Sequence, residues 1–171
     1  MKRNQLLKIT VAALLAAMTC VATMIINIPI PATKGYINIG DCIVILCGIV
    51  LGPVYGGLAA GIGSGLADLL SGYVQYAPIT FVIKGLMAVV VGLIIKNVMT
   101  HKFYTFIVAS VLAELIMVGG YFVCEATLLG YGLSAAASIP ANLIQAAGGI
   151  VISSLLIPVV KRIDVRTLRA K

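Results

Sequence analysis

The stretch IGDCIVILCGIVLGPVYGGLAAGIGSGLADLLS, residues 39–71, decides the fold. Its only charged side chains are Asp41 and Asp68, one near each end. It is longer than the ~20 apolar residues one helix needs to cross a bilayer. Gly52-Pro53 interrupts it near its centre. Proline has no N–H to give to a helix and breaks it unless neighbours compensate. The stretch therefore reads as two short or tilted helices, 39–52 and 54–71, joined by a tight turn.

Working outward, further apolar runs occupy 9–28, 79–98, 103–124 and 138–160, with connections at 29–38, 72–78, 99–102 and 125–137. Across 171 residues, 61% are hydrophobic and 10% charged, against about 25% charged in an ordinary soluble domain. A water-soluble fold of this size has too little interior to hide so much apolar surface, so lipid is the solvent. The expectation is an all-α membrane protein of six transmembrane helices in one domain, 1–171. Lys2, Arg3 and Lys8 precede the first run, as in a signal peptide, but the run is long enough to span and lacks a small-x-small cleavage site, so it reads as a retained helix.

The net charge is +7. With six spans, ten of the twelve basic residues fall on one face: the N-terminal segment, the connection flanked by Lys96 and Lys102, and the tail with Lys161, Arg162, Arg166, Arg169 and Lys171. Lys34 lies on the other face and Lys84 inside a span. The positive-inside rule then places both termini in the cytoplasm. This distribution argues for topology and anionic lipid contact, not nucleic acid. Cys20, Cys42, Cys47 and Cys124 are scattered through apolar segments with no C-x-x-C, and His101 is the one histidine. No metal site or other cofactor is expected.

Small residues recur at Gly57, Gly61 and Gly65, and again at Ala12, Ala13, Ala16 and Ala17. Four-residue spacing of small side chains makes a face on which helices approach closely. On sequence physics alone, internal packing is the favoured reading of both.

Ionisable groups inside spans are costly and mark function by default. Asp41, Asp68, Lys84 and Glu125 fall in the outer half, with Tyr121, Asn142 and Gln145 at similar depth; Glu114 is near the middle. Glu114, Tyr121 and Glu125 share one helical face, as do Asn142 and Gln145. No acidic path continues to the inner side, as an ion or proton relay requires. The simplest arrangement is an outward-open polar pocket on spans four to six. Asp68 and Lys84 read equally as a buried pair or as ligand contacts. Tyr36, Tyr73, Tyr76 and Tyr131 read mostly as an interfacial belt.

No G-x-x-x-x-G-K-[ST] or H-E-x-x-H occurs, and no nucleophile has a base, so the chain is not expected to be an enzyme. Inverted repeats are not evident, which weakens a stand-alone ion-coupled carrier or channel. That alternative rests on Glu114 as the deep acid.

The segments Gly35-Tyr-Ile-Asn-Ile-Gly-Asp41, Leu51-Gly-Pro-Val-Tyr-Gly56, Gly61 to Asp68-Leu-Leu, Ala13-Leu-Leu-Ala-Ala17 and Pro140-Ala-Asn-Leu-Ile-Gln145, taken with their order along the chain, resemble S components of energy-coupling factor (ECF) transporters of the riboflavin-type sequence group. The resemblance implies a multi-pass subunit of the bacterial plasma membrane that binds a vitamin or precursor. Pyridoxine or hydroxymethylpyrimidine is favoured by the modest aromatic content, with riboflavin second. It implies docking on a transmembrane coupling protein and two ATPases through the first helix, here Ala12, Ala13, Ala16 and Ala17. It also implies a pocket capped by Pro29 to Asn38. The ligand-binding residues expected are Asn38, Asp68, Lys84, Tyr121, Glu125, Asn142 and Gln145.

Overall fold

The computed structural model describes residues 3–98 and 103–162. Lys2, His101, Lys102, Arg166, Arg169 and Lys171 of the topology argument lie outside the described residues. The chain runs α1 (Arg3–Ile25), β1 (Asn27–Ile30), β2 (Gly35–Asn38), α2 (Asp41–Leu70), α3 (Ala77–Asn97), α4 (Phe103–Thr127), a short 3-10 helix (Gly132–Ser138) and α5 (Ile139–Arg162). Among the described residues five helices are long and apolar enough to cross a membrane.

The expected break is present at Gly52, whose φ of 74° and ψ of −172° leave the helical region. A side chain is strained there, so glycine fits. The two halves of α2 turn back on each other, because a Cβ on Gly56 would press against the carbonyl of Cys47. The first half, 41–51, rises only about 16 Å, short for a spanning helix. It begins beside Lys84 and ends beside Gly92 of α3. α2 is thus a helical hairpin laid along α3, its first half short as the sequence reading expected.

Glycines make that packing possible. Gly57 lies against Gly85 and Val89, Gly61 against Phe81, and Gly65 against Ala77, while Gly48 meets Ala88 and Val91. Gly63, on another face of α2, lies against the Ala16 carbonyl and Thr19 of α1. These contacts match the packing reading of the small-residue face. Ile45, Ile49, Met87, Ile95, Met117 and Ile157 fill the core. Exposed side chains such as Leu14, Val21, Val82, Leu115 and Leu155 form the apolar exterior.

The reading as helices alone missed one element. Ile26 to Ile28, assigned to the first span, leave the helix, and β1 pairs antiparallel with β2 from Asn27↔Asn38 to Ile30↔Gly35. Four-residue strands with Pro29 inside carry almost no alternation signal. The hairpin lies in the expected cap and delivers Tyr36 and Asn38 to the site.

Candidate functional site

Asp41 opens the first half of α2 and is fully buried. Lys84 of α3 forms an ion pair with Asp41 Oδ1. Gln145 of α5 donates from Nε2 to Asp41 Oδ2 at 2.6 Å, and its Oε1 accepts the backbone N–H of Asn38 at 2.7 Å. Asn38 Oδ1 in turn accepts the N–H of Gly40 at 2.8 Å, which fixes the entry into α2. One polar assembly therefore ties the cap strand, α2, α3 and α5 together. The expected alternative of an Asp68–Lys84 pair is not what forms. The short first half of α2 starts at the depth of Lys84 and brings Asp41 to it first.

Asp68 is held instead by the cap, through a hydrogen bond from the Tyr36 hydroxyl to Oδ1. Tyr36 stacks at a tilt on Tyr73, with ring centroids 4.4 Å apart. The Tyr76 hydroxyl lies 2.6 Å from the Thr33 carbonyl and 3.1 Å from Glu125 Oε1, its single proton directed between them. Ser138 Oγ lies 2.6 Å from Glu125 Oε2. Burial foremost, and then the negative charge of Asp68 for Tyr36 and of Glu125 for Tyr76, hold both phenols well above their usual pKa. Both therefore remain donors at neutral pH. Tyr121 hydrogen-bonds Thr80 at 2.9 Å, and Lys84 Nζ sits 5.4 Å from the Tyr121 ring centroid.

These groups surround one cavity. Asn38, Asp68, Lys84, Tyr121, Glu125, Asn142 and Gln145 all line it. So do Thr23, Ile30, Gly35, Tyr36, Ser64, Tyr76 and Thr80, which the sequence reading did not select. Tyr36 and Tyr76 thus belong to the lining and not to an interfacial belt. Their eventual place depends on the hairpin and on the turn before α3. Ser64 carried a legible signal, one helical turn before Asp68 on the same face, but it was hidden by the glycine pattern around it.

Glu114 lies outside the lining. It is 2% exposed, and neither carboxylate oxygen has a hydrogen-bond partner among the described residues. It faces Gly149, where a Cβ would collide with the carboxylate and press on Asp41. The α1 alanines divide: Ala13 and Ala17 are exposed, whereas Ala12 and Ala16 are half-buried against the core. Among the described residues no cluster of three or more His, Cys, Asp or Glu side chains is arranged to hold a metal ion.

The family model for the ECF-type riboflavin transporter, S component, matches residues 3–162. The chain is 39% identical over 142 residues to an uncharacterised protein of Pyrococcus woesei, covering 83% of this chain and 93% of that one. It is 28% identical over 163 residues to the thiamine precursor transporter HmpT of Lactococcus lactis, covering 95% and 92%. Among solved structures it resembles the S component of a bacterial ECF transporter, with a TM-score of 0.68 and 23% identity over 92% of this chain and 95% of that one. It also resembles the S component for biotin from an ECF-type transporter, with a TM-score of 0.65 and 20% identity over 95% and 93%. The chain belongs to the ECF-type riboflavin transporter S component family, a membrane transport family associated with vitamin uptake and not with enzymatic activity.

Proposed function

We propose that this S component captures a vitamin precursor with a single small heteroaromatic ring, pyridoxine or hydroxymethylpyrimidine being the favoured types, and hands it to an ATP-driven ECF module. The observation that carries this reading is the cavity itself. Polar side chains from the cap, α1, α2, α3, α4 and α5 converge on one space, and a few convergent polar groups in one concave place are what a small-molecule site requires. Lys84, paired with Asp41, is part of its lining. The likeness to a Lactococcus lactis thiamine precursor transporter supports the substrate class. Riboflavin, with a fused three-ring system, is second, because the aromatic surface in the lining is three separate tyrosines.

In this reading the chain crosses the bacterial plasma membrane as six helical passes, counting the halves of α2 separately. Both termini lie in the cytoplasm, as the ten basic residues gathered at one face favour. The module is a transmembrane coupling protein with two ATPases. The exposed side of α1, at Ala13 and Ala17, meets the coupling protein.

The test is to purify the protein from cells and identify the co-purifying small molecule by mass spectrometry, then measure its affinity by calorimetry. A bound pyridine or pyrimidine precursor is the expected result. A protein that binds no vitamin-type compound, yet moves an ion-coupled solute alone in proteoliposomes, would overturn the reading.

A further inference from the structure

Two walls of the cavity differ in how their polar atoms are satisfied. On one, Lys84 and Gln145 are spent on Asp41 and Asn38. On the other, Thr23 Oγ1, Ser64 Oγ and Asp68 Oδ2 are buried and have no hydrogen-bond partner among the described residues. The three residues are 3%, 1% and 1% exposed. Thr23 is in the last turns of α1, while Ser64 and Asp68 stand one turn apart on one face of α2. A buried polar atom left unpaired is costly, and native proteins keep few of them without a use.

We propose that Thr23, Ser64 and Asp68 form the anchoring wall for the ligand, and that the ligand presents to it a hydrogen-bond-donating nitrogen, as an amino-substituted or protonated heteroaromatic ring does. This rests on the reading above that the cavity captures a vitamin precursor, and it narrows the chemistry of that precursor.

The acceptor geometry and the charge balance point the same way. Tyr36 occupies Asp68 Oδ1 and leaves Oδ2 to accept. The Thr80 hydroxyl lies beside the Asp68 carboxylate and shares a 2.9 Å hydrogen bond with Tyr121 in which either group can donate. Hydroxyls either donate or accept, so Ser64 and Thr23 complete the contacts of an N–H group or an adjacent ring nitrogen. Asp68 and Glu125 bring two carboxylates to the lining, and Lys84, its one cation, is met by Asp41. Lys34 in the cap is exposed and does not line the cavity. In a low-dielectric enclosure, uncompensated carboxylates repel a carboxylate or phosphate and favour a cation or N–H donor. Tyr36 and Tyr121 supply flat faces for the ring.

The experiment uses the full chain in lipid nanodiscs and calorimetry with three probes. These are hydroxymethylpyrimidine with its exocyclic amino group, the deamino analogue in which hydrogen replaces that amino group, and biotin as an anion. The amino probe is expected to bind at least about tenfold more tightly than the deamino analogue, since the analogue leaves the buried acceptors without a donor. Biotin is expected not to bind measurably. Asp68→Asn should erase most of the preference, because one oxygen is replaced by a donor. Ser64→Ala and Thr23→Val, which leave the charges alone, should each weaken the amino probe several-fold, with thermal unfolding confirming that each variant is folded.

Equal binding of the two pyrimidines, tighter binding of the deamino analogue or of biotin, or a preference that survives in Asp68→Asn would overturn the anchoring wall while leaving vitamin capture standing. Failure of the folded protein to bind any of the three probes would overturn the anchoring wall, and failure to bind pyridoxine and riboflavin as well would overturn vitamin capture.

Discussion

The backbone N–H of Asn38 donates to Oε1 of Gln145 at 2.7 Å, joining residues 107 positions apart in the chain. The same side chain donates to Asp41 through Nε2 at 2.6 Å. Gln145 is therefore the clasp between the cap hairpin, the start of α2 and α5. Its amide is suited to the place, with an acceptor toward the strand and a donor toward the carboxylate.

Gln145→Ala is expected to weaken ligand binding by several-fold to about a hundredfold, since it removes two buried hydrogen bonds and frees the cap. Gln145→Glu should be worse, because it places a second carboxylate beside Asp41 and loses the donor. Calorimetry gives the affinity. Hydrogen exchange over residues 27–38 reads the cap directly, and unchanged protection there in Gln145→Ala would remove the clasp.

Lys84→Met is expected to destabilise the protein by about 3–5 kcal/mol, the cost of leaving a buried carboxylate without its partner. Asp41→Asn in the same chain should restore most of that loss, because the uncompensated charge is gone. Thermal unfolding of the two single variants and the double variant measures the coupling. Additive effects in that cycle would show that the ion pair does not act as a unit.

The α1 alanines now give opposite predictions. Ala16 abuts Gly63, whose Cα has no room to retreat, so Ala16→Trp should overpack the α1–α2 contact and lower both stability and ligand affinity. Ala13 and Ala17 are exposed, so Ala13→Trp or Ala17→Trp should leave affinity near wild type while abolishing uptake and co-purification with the coupling protein. A pull-down and a binding assay on the same variants check this. Normal uptake with Trp at position 13 and at position 17 would exclude a docking role for that face.

Orientation is tested with single cysteines in a chain whose four native cysteines are replaced. A cysteine at Lys34, exposed in the cap turn, should react with an impermeant maleimide in intact cells. One at Lys96, exposed at the opposite end of α3, should react only after the membrane is opened. Labelling at position 96 from outside would reverse the topology.

Much of the fold is legible along the chain because lipid imposes a one-dimensional rule: a segment is apolar and long, or it does not cross. That rule found α3, α4 and α5 within a few residues, and the lack of a proline N–H marked the break at Gly52-Pro53. The residues lining the cavity were legible for a related reason. Asp68, Lys84, Glu125, Asn142 and Gln145 are polar where polarity is costly, and the structure brings them to one cavity.

Pairing was not legible, because it depends on depth and direction in three dimensions. Asp41 and Asp68 look equivalent in sequence, each at one end of an apolar run. The fold back at Gly52 sets Asp41 against Lys84 and leaves Asp68 to Tyr36. The same holds for Ala12 and Ala13, adjacent in sequence but turned about 100° apart on a helix, one toward the core and one away from it. The sequence by itself determined that this chain lives in a membrane, where it bends and which of its polar groups are out of place. Only the tertiary structure decided which of those groups satisfy one another and which, like Asp68 Oδ2, are left facing the cavity. Hydrophobicity is a property of each residue, whereas a hydrogen bond is a property of two residues at one distance.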